Sequence, residues 1–196
     1  MPRPRIADDE ELLSAAGAVL STSGPSRFTL QRVADRADVS AATLIKRFGS
    51  KRELMLAMNR RWVASIRPGM AEATAGHDTA LQRLRAAALW GFADLDNAAN
   101  TARQLASLAV DLQDDDMRAL LARGWRVVRR RLTELADDAI DTGDLDAAPP
   151  AEQAARILFA LGEGTRLAWS VEPRGSLVAR ASADLDAVLA AWGTQR

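Results

Sequence analysis

The 196-residue chain has no cysteine, no tyrosine and a single histidine, His77. The lack of cysteine excludes a disulfide framework, a thiolate metal site and a cysteine nucleophile together. One imidazole is too few for a histidine metal site or a dependable Ser/His/Asp set, and no Glu-x-x-His pair of a carboxylate metal bundle occurs. No glycine-rich phosphate loop follows a strand pattern, so nothing points to an enzyme, a metal or a cofactor. No apolar run approaches the roughly 20 residues of a membrane-spanning helix. The start, Met1-Pro2-Arg3-Pro4-Arg5, leads into acidic Asp8 to Glu11 instead of an apolar signal core, and the expectation is a cytoplasmic protein with no membrane partner.

Net charge is also missing, but its distribution is uneven. Residues 1–67 hold 12 Lys/Arg against 7 Asp/Glu, whereas 68–196 hold 14 against 19. A basic N-terminal third on an acidic body suggests that one end meets a polyanion. Only two lysines occur, Lys46 and Lys51, and both fall in that third.

Period-2 alternation is nearly absent and Ala and Leu dominate, so the periodic segments read as helices and the fold as all-α, with about nine of them. The first is expected from about Ile6 to Leu20. Thr29 caps a second through Ala37, Asp38-Val39 turns, and Ser40 caps a third through Arg47. Ser50, with Glu53 completing a capping box, opens a fourth toward Ile66, before Pro68-Gly69. A fifth spans Asp78 or Thr79 to Leu95 and a sixth Thr101 to Leu112. Asp114 to Asp116 start a seventh ending at Thr142-Gly143. Pro149-Pro150 opens an eighth to Val171, and Ser176 a ninth to Trp192.

Residues 29–48, TLQRVADRADVSAATLIKRF, have the form of a helix-turn-helix. Leu30, Val33, Ala34, Ala37, Val39 and Leu44 are the positions that pack on a third helix. The outward positions of the second short helix are Ser40, Ala41, Ala42, Thr43, Ile45, Lys46 and Arg47, small in front and basic behind. Such a helix fits a major groove, with its first residues at base edges and its basic end on phosphates. Lys51, at the start of the next helix, sits where backbone N–H groups already favour phosphate. Arg27, Thr29 and Gln31, around the start of the second helix, are further DNA-contact candidates, and Arg3 and Arg5 could form a minor-groove arm.

From Glu11 to Leu54 the chain resembles the signature block of the TetR/AcrR family of transcriptional regulators. The resemblance is carried by Gly24, Thr29-Leu30, Val33-Ala34, Ala37, Val39-Ser40, Thr43-Leu44, Phe48 and Ser50-Lys51 with Leu54. It departs at Ile45, where the family commonly has a tyrosine that bonds a phosphate. The resemblance implies a three-helix DNA-binding domain over 1–52 and a helical ligand-binding and dimerisation domain over 53–196. It further implies a homodimer through the eighth and ninth helices, bound to a palindromic double-stranded operator. The implied function is a repressor released by a small-molecule effector, with an effector-independent regulator or an activator as the alternative.

By the same resemblance, helices five to eight would enclose an effector pocket, with Trp90, Phe92, Arg103, Gln104, Trp125, Phe159, Glu163 and Trp169 as its candidates; plain core filling by these aromatics is the other reading. Small residues on the eighth helix (Ala151, Ala154, Ala155, Leu158, Leu161, Gly162, Thr165) and a stripe on the ninth (Val178, Ala181, Leu185, Val188, Leu189, Trp192) are the expected dimer faces, with packing inside one subunit as the alternative.

Overall fold

The computed structural model describes residues 7–92 and 95–193, so Arg3, Arg5 and the expected helix start at Ile6 lie outside the described residues. Among the described residues there is no strand, and the order is α1 (Asp9–Ser23), a 3-10 turn (Pro25–Arg27), α2 (Leu30–Ala37), α3 (Ala41–Phe48), α4 (Lys51–Thr74), α5 (Ala80–Ala88), α6 (Ala98–Asp111), α7 (Asp115–Asp141), α8 (Ala151–Val171) and α9 (Leu177–Trp192). No helix among these residues is long and apolar enough to cross a membrane.

Local chemistry explains most of these ends. Asp8 and Glu11 form a reciprocal capping box at α1, and Thr79 with Gln82 does the same at α5. Thr29, Ser40 and Ser176 each accept a backbone N–H from three residues on. Asp38 takes the left-handed conformation at φ 53°, which lets the N–H groups of Asp38 and Val39 both return to the Ala34 carbonyl and turns the chain sharply into α3.

Helix α6 begins at Ala98, three residues before the expected Thr101, and two other expected boundaries were further off. Helix α5 stops at Ala88 and not at Leu95, with Gly91 at φ 88° turning the chain away. Helix α4 does not stop before Pro68 but runs through it to Thr74. A proline inside a helix removes one hydrogen bond and costs about 3 kcal/mol. Packing offsets this: Ile66 and Met70, on either side of the proline, are 0% and 1% exposed, and burying each contributes roughly 1.5–3 kcal/mol.

The chain forms two compact units. The first comprises Met1–Val63 with Ala102–Leu121, and the second Ala64–Thr101 with Ala122–Arg196. The first has a core of Leu12, Ala16, Phe28, Val33, Ala34, Leu44, Leu54 and Leu56, into which Met117 of α7 also packs. Leu54 to Leu56 and Met117 thus share a core with the helix-turn-helix, although all lie beyond residue 52. In the second unit Phe92, Leu95, Trp169, Leu177 and Ala181 form one cluster.

Gly69 shows how tightly the second unit is packed. A Cβ there would lie 2.7 Å from the Trp90 indole Nε1, so the α4 backbone and the ring meet directly. Gly17, within α1, has nothing within 4 Å of the same position. Alanine gains about 1 kcal/mol over glycine in a helix interior, whereas overpacking costs about 1–3 kcal/mol. Gly69→Ala should therefore lower the melting temperature and Gly17→Ala raise it, as read by thermal denaturation followed by circular dichroism.

Candidate nucleic-acid interface

The interface lies wholly within the first unit. Leu44 is fully buried, and because successive helical residues turn by about 100°, its burial fixes which positions of α3 face out. Ala42 and Lys46 stand opposite Leu44, with Ile45 on one flank and Arg47 on the other. Ala42, Ile45, Lys46 and Arg47 are exposed, while Ala41 and Thr43 are half-buried, Ala41 packing against the core.

The polar side chains are partly committed. The Ser40 hydroxyl accepts the Thr43 N–H at 3.1 Å and lies 2.9 Å from the Thr43 hydroxyl, so both serve the helix cap as well as facing out. Thr29 caps α2, accepting the Arg32 N–H, and the exposed Gln31 amide donates to Asp35 at 2.7 Å. Arg27 closes the 3-10 turn and is exposed.

The cations divide into two sets. Arg47 donates to Asp9 at 2.8 Å and to the Ala7 carbonyl at 3.3 Å, tying the end of α3 to the start of α1. Arg52 donates twice to Asp114, at 2.7 and 2.9 Å, and to Asp116 at 2.6 Å. The same Asp114 accepts the N–H groups of Asp116 and Met117, capping α7. These bonds, Asp114 first, push the Arg52 guanidinium up, and Arg52 in turn holds the Asp114 carboxyl below the usual carboxylate range. Lys46 and Lys51 are exposed and have no acidic partner among the described residues. The Lys51 ammonium sits 5.6 Å from the centre of the buried Phe28 ring, which restrains it beside the N-terminus of α4. The pairings of Arg47 and Arg52 were not foreseen; their partners are 38 and 62 residues away.

The effector-pocket candidates are divided between the two units. Arg103 belongs to the first unit, where it donates to the Ser21 carbonyl at 3.1 Å and its stem lies over Gly24. The half-buried Gln104 is in the same unit. In the second unit Trp125 and Phe159 stack edge to face at 5.3 Å, Arg129 lies over the Phe159 ring, and Glu163 pairs with Arg166. Trp90 rests on Gly69, Phe92 on Gly162, and Trp169 donates its indole N–H to the Gly175 carbonyl at 3.3 Å. A cavity lined by the end of α5, by Leu89 and Phe92 just after it, and by α8 and α9 residues that include Leu158, Thr165 and Leu185 has a volume of about 10 Å³, room for one water.

The helix faces read as dimer surfaces are packed inside the second unit. Ala154, Ala155, Leu158 and Thr165 of α8 and Ala181, Leu185 and Leu189 of α9 are buried there. Thr165 also donates its hydroxyl to the Asp184 carboxylate at 2.9 Å. A different apolar stripe on α8 remains exposed: Ile157, Ala160, Gly164, Leu167, Ala168 and Val171; on α9, Ala183, Ala187 and Ala190 are exposed as well. Sequence periodicity could not choose between the faces, because α8 is apolar nearly all round.

Residues 12–58 match the family model for bacterial regulatory proteins of the tetR family. No curated protein matches the sequence. Solved structures match the fold over almost the whole chain. A TetR transcription regulator from Haloarcula marismortui has a TM-score of 0.81 at 18% identity, covering 94% of this chain and 97% of its own. SmeT, the repressor of the Stenotrophomonas maltophilia multidrug efflux pump SmeDEF, gives 0.71 at 24% identity, with 96% and 92% covered. A protein from Saccharomonospora viridis solved in complex with choline gives 0.80 at 17% identity, with 95% and 97% covered. At these identities the likeness is one of fold.

The Arg52 clamp carries a prediction in pH. A carboxyl held below its unfolded value of 3.8 adds stability that is fully present above that value and is lost as pH falls through the depressed folded value. Arg52→Gln should therefore lower the melting temperature at neutral pH, by a few degrees at most for so exposed a network. The difference from the parent should shrink toward zero on acidification below the ordinary carboxylate range.

Proposed function

We propose that this chain, a tetR-family protein by its N-terminal domain and its fold, is a dimeric, sequence-specific DNA-binding regulator, acting as a repressor that a small-molecule effector releases from its operator. The observation that carries the reading is the outward face of α3 beside the start of α4. There two cations without acidic partners among the described residues, Lys46 and Lys51, flank small side chains within the segment that matches the family model. A helix presenting small residues in front and cations behind suits a major groove. In this reading residues 1–52 contact DNA in the cytoplasm, and 53–196 hold the effector and the dimer interface.

Dimerisation is assigned to α8 and α9 through the stripe that the subunit leaves uncovered. Leu167 is 55% and Val171 79% exposed, and the exposed Gly164, one turn before Leu167, would let a partner helix come close. Two copies supply two recognition helices and hence useful affinity for a palindrome.

Effector action has support in the fold relatives, one a repressor and another holding choline. A pocket for a drug-sized molecule needs roughly 300 Å³ or more. The cavity beside Phe92, Leu158 and Leu185 is far smaller, so an effector bound at that point would select a conformation in which the surrounding helices stand apart. Helix α4, continuous from Lys51 through Met58 and Trp62 to Thr74, is the element through which such a change would reach the DNA-contacting end. The small size of that cavity is what favours the second reading, a regulator that works without an effector. Thermal-shift screening separates the two, since a ligand at a hundred times its Kd adds about 2.7 kcal/mol of stability.

Two measurements test the proposal. The protein should enrich a duplex from a random pool and bind it with affinity that falls steeply with salt, and Lys51→Ala should weaken all duplexes alike and reduce the slope by about one. Failure to enrich any duplex, or a salt-independent affinity, overturns DNA binding. In sedimentation, the parent should be a dimer and Leu167→Glu a monomer of unchanged helix content; a monomeric parent, or a variant that stays dimeric, overturns the assigned interface.

A further inference from the structure

Within residues 7–63 one large apolar side chain is exposed, Ile45, at 52%. It stands on the outward side of α3, next to the exposed methyl of Ala42 one turn earlier, on the flank away from Arg47. The groups that could hydrogen-bond lie elsewhere on the helix. The Ser40 and Thr43 hydroxyls are on the Arg47 flank and face each other at 2.9 Å, Arg47 is tied back to Asp9, and Lys46 lies on the far side of Ala42 from Ile45. The Ala42–Ile45 flank thus offers a duplex neither donor nor acceptor. Phosphate cannot be its partner, since an alkyl group gives an anion nothing and desolvates it. Of the groups that base pairs display in the major groove, the apolar one is the C5-methyl of thymine; the rest are donors or acceptors that an alkyl surface would leave unpaired at a cost.

We propose that Ile45, together with Ala42, is a specificity-determining surface that reads the 5-methyl group of thymine in each half-site. The inference rests on the DNA-binding reading above and adds to it the chemistry by which this face tells one base from another. Lys46 and Lys51 hold the helix to the backbone, and the methyl contact sets which base lies under Ile45. An exposed alkyl surface of this kind disfavours cytosine at that position, because cytosine carries only a hydrogen at C5 where thymine carries the methyl, and the apolar contact is lost.

Deoxyuridine differs from thymidine only by this methyl group, so it isolates the contact. A duplex enriched by the intact protein from a random pool is remade with each thymine in turn replaced by deoxyuridine. Equilibrium affinities are then measured for the parent and for Ile45→Ala, Ile45→Val and Lys46→Ala. Replacement at one thymine per half-site should weaken the parent on the order of three- to fivefold, the worth of one methyl removed from water. Ile45→Val should keep that penalty, Ile45→Ala should bind both duplexes alike, and Lys46→Ala should bind both more weakly with the penalty intact. Circular dichroism checks that each variant keeps its helix content, which substitutions at exposed positions should leave unchanged. A parent indifferent to every replacement, an enriched duplex with no recurrent thymine, or an undiminished penalty in Ile45→Ala overturns the inference and leaves DNA binding standing. Failure to enrich any duplex overturns both.

Discussion

Helix α3 has eight residues, and a helix shorter than about 12–15 is marginal alone in water, so its existence depends on what Leu44 touches. Leu44 is buried in a core with Leu12 of α1, Phe28 of the 3-10 turn, Val33 of α2 and Leu54 of α4, each fully enclosed. That one inward residue also fixes the rotation of the helix, and with it which side chains face outward. Removing three carbons from a leucine in such a core costs about 2–5 kcal/mol, a large part of what holds a small domain folded. The reading face is therefore a by-product of the core: Ala42, Ile45 and Lys46 point outward because Leu44 points inward.

Charge pairing then sorts the basic residues by task. Seen as sequence, Lys46, Arg47, Lys51 and Arg52 form one basic block. In space Arg47 anchors α3 to α1, and Arg52 joins α4 to the cap of α7 through Asp114. These two brace the frame, and the lysines are left for a polyanion. The lysine cation is compact and flexible and suits phosphate as a point charge, whereas arginine suits fixed two-pronged pairing with carboxylates. The division between two lysines outward and two arginines inward follows that difference.

The helix-turn-helix was legible because its information is local. Thr29, Ser40 and Ser50 each bond a backbone N–H three residues on, and Asp38 and Gly49 close helices within five. Phe28, the largest fully buried side chain, went unread because it sits in the break between helices and belongs to no periodic stripe. Pro68 misled for a related reason: the cost of a proline is local, while the burial of Ile66 and Met70 that offsets it is tertiary. On α8 the pattern was ambiguous in itself, and only burial of Ala154, Leu158 and Thr165 reveals which face the subunit keeps for itself. The pocket candidates meet the same limit, since residue type alone does not separate a core tryptophan such as the buried Trp169 from a ligand contact.

Side-chain footprinting with hydroxyl radicals tests the central claim, that the outward face of α3 with the start of α4 is the surface that meets DNA. The protein is labelled free and bound to a duplex it has enriched, and oxidation is read residue by residue. Binding should sharply reduce labelling at Ile45 and its neighbours on α3 and at Lys51, and leave Leu167 and Val171 of α8 unchanged. Protection confined to α8 or spread evenly over the chain, with Ile45 labelled as strongly as in the free protein, would contradict the account.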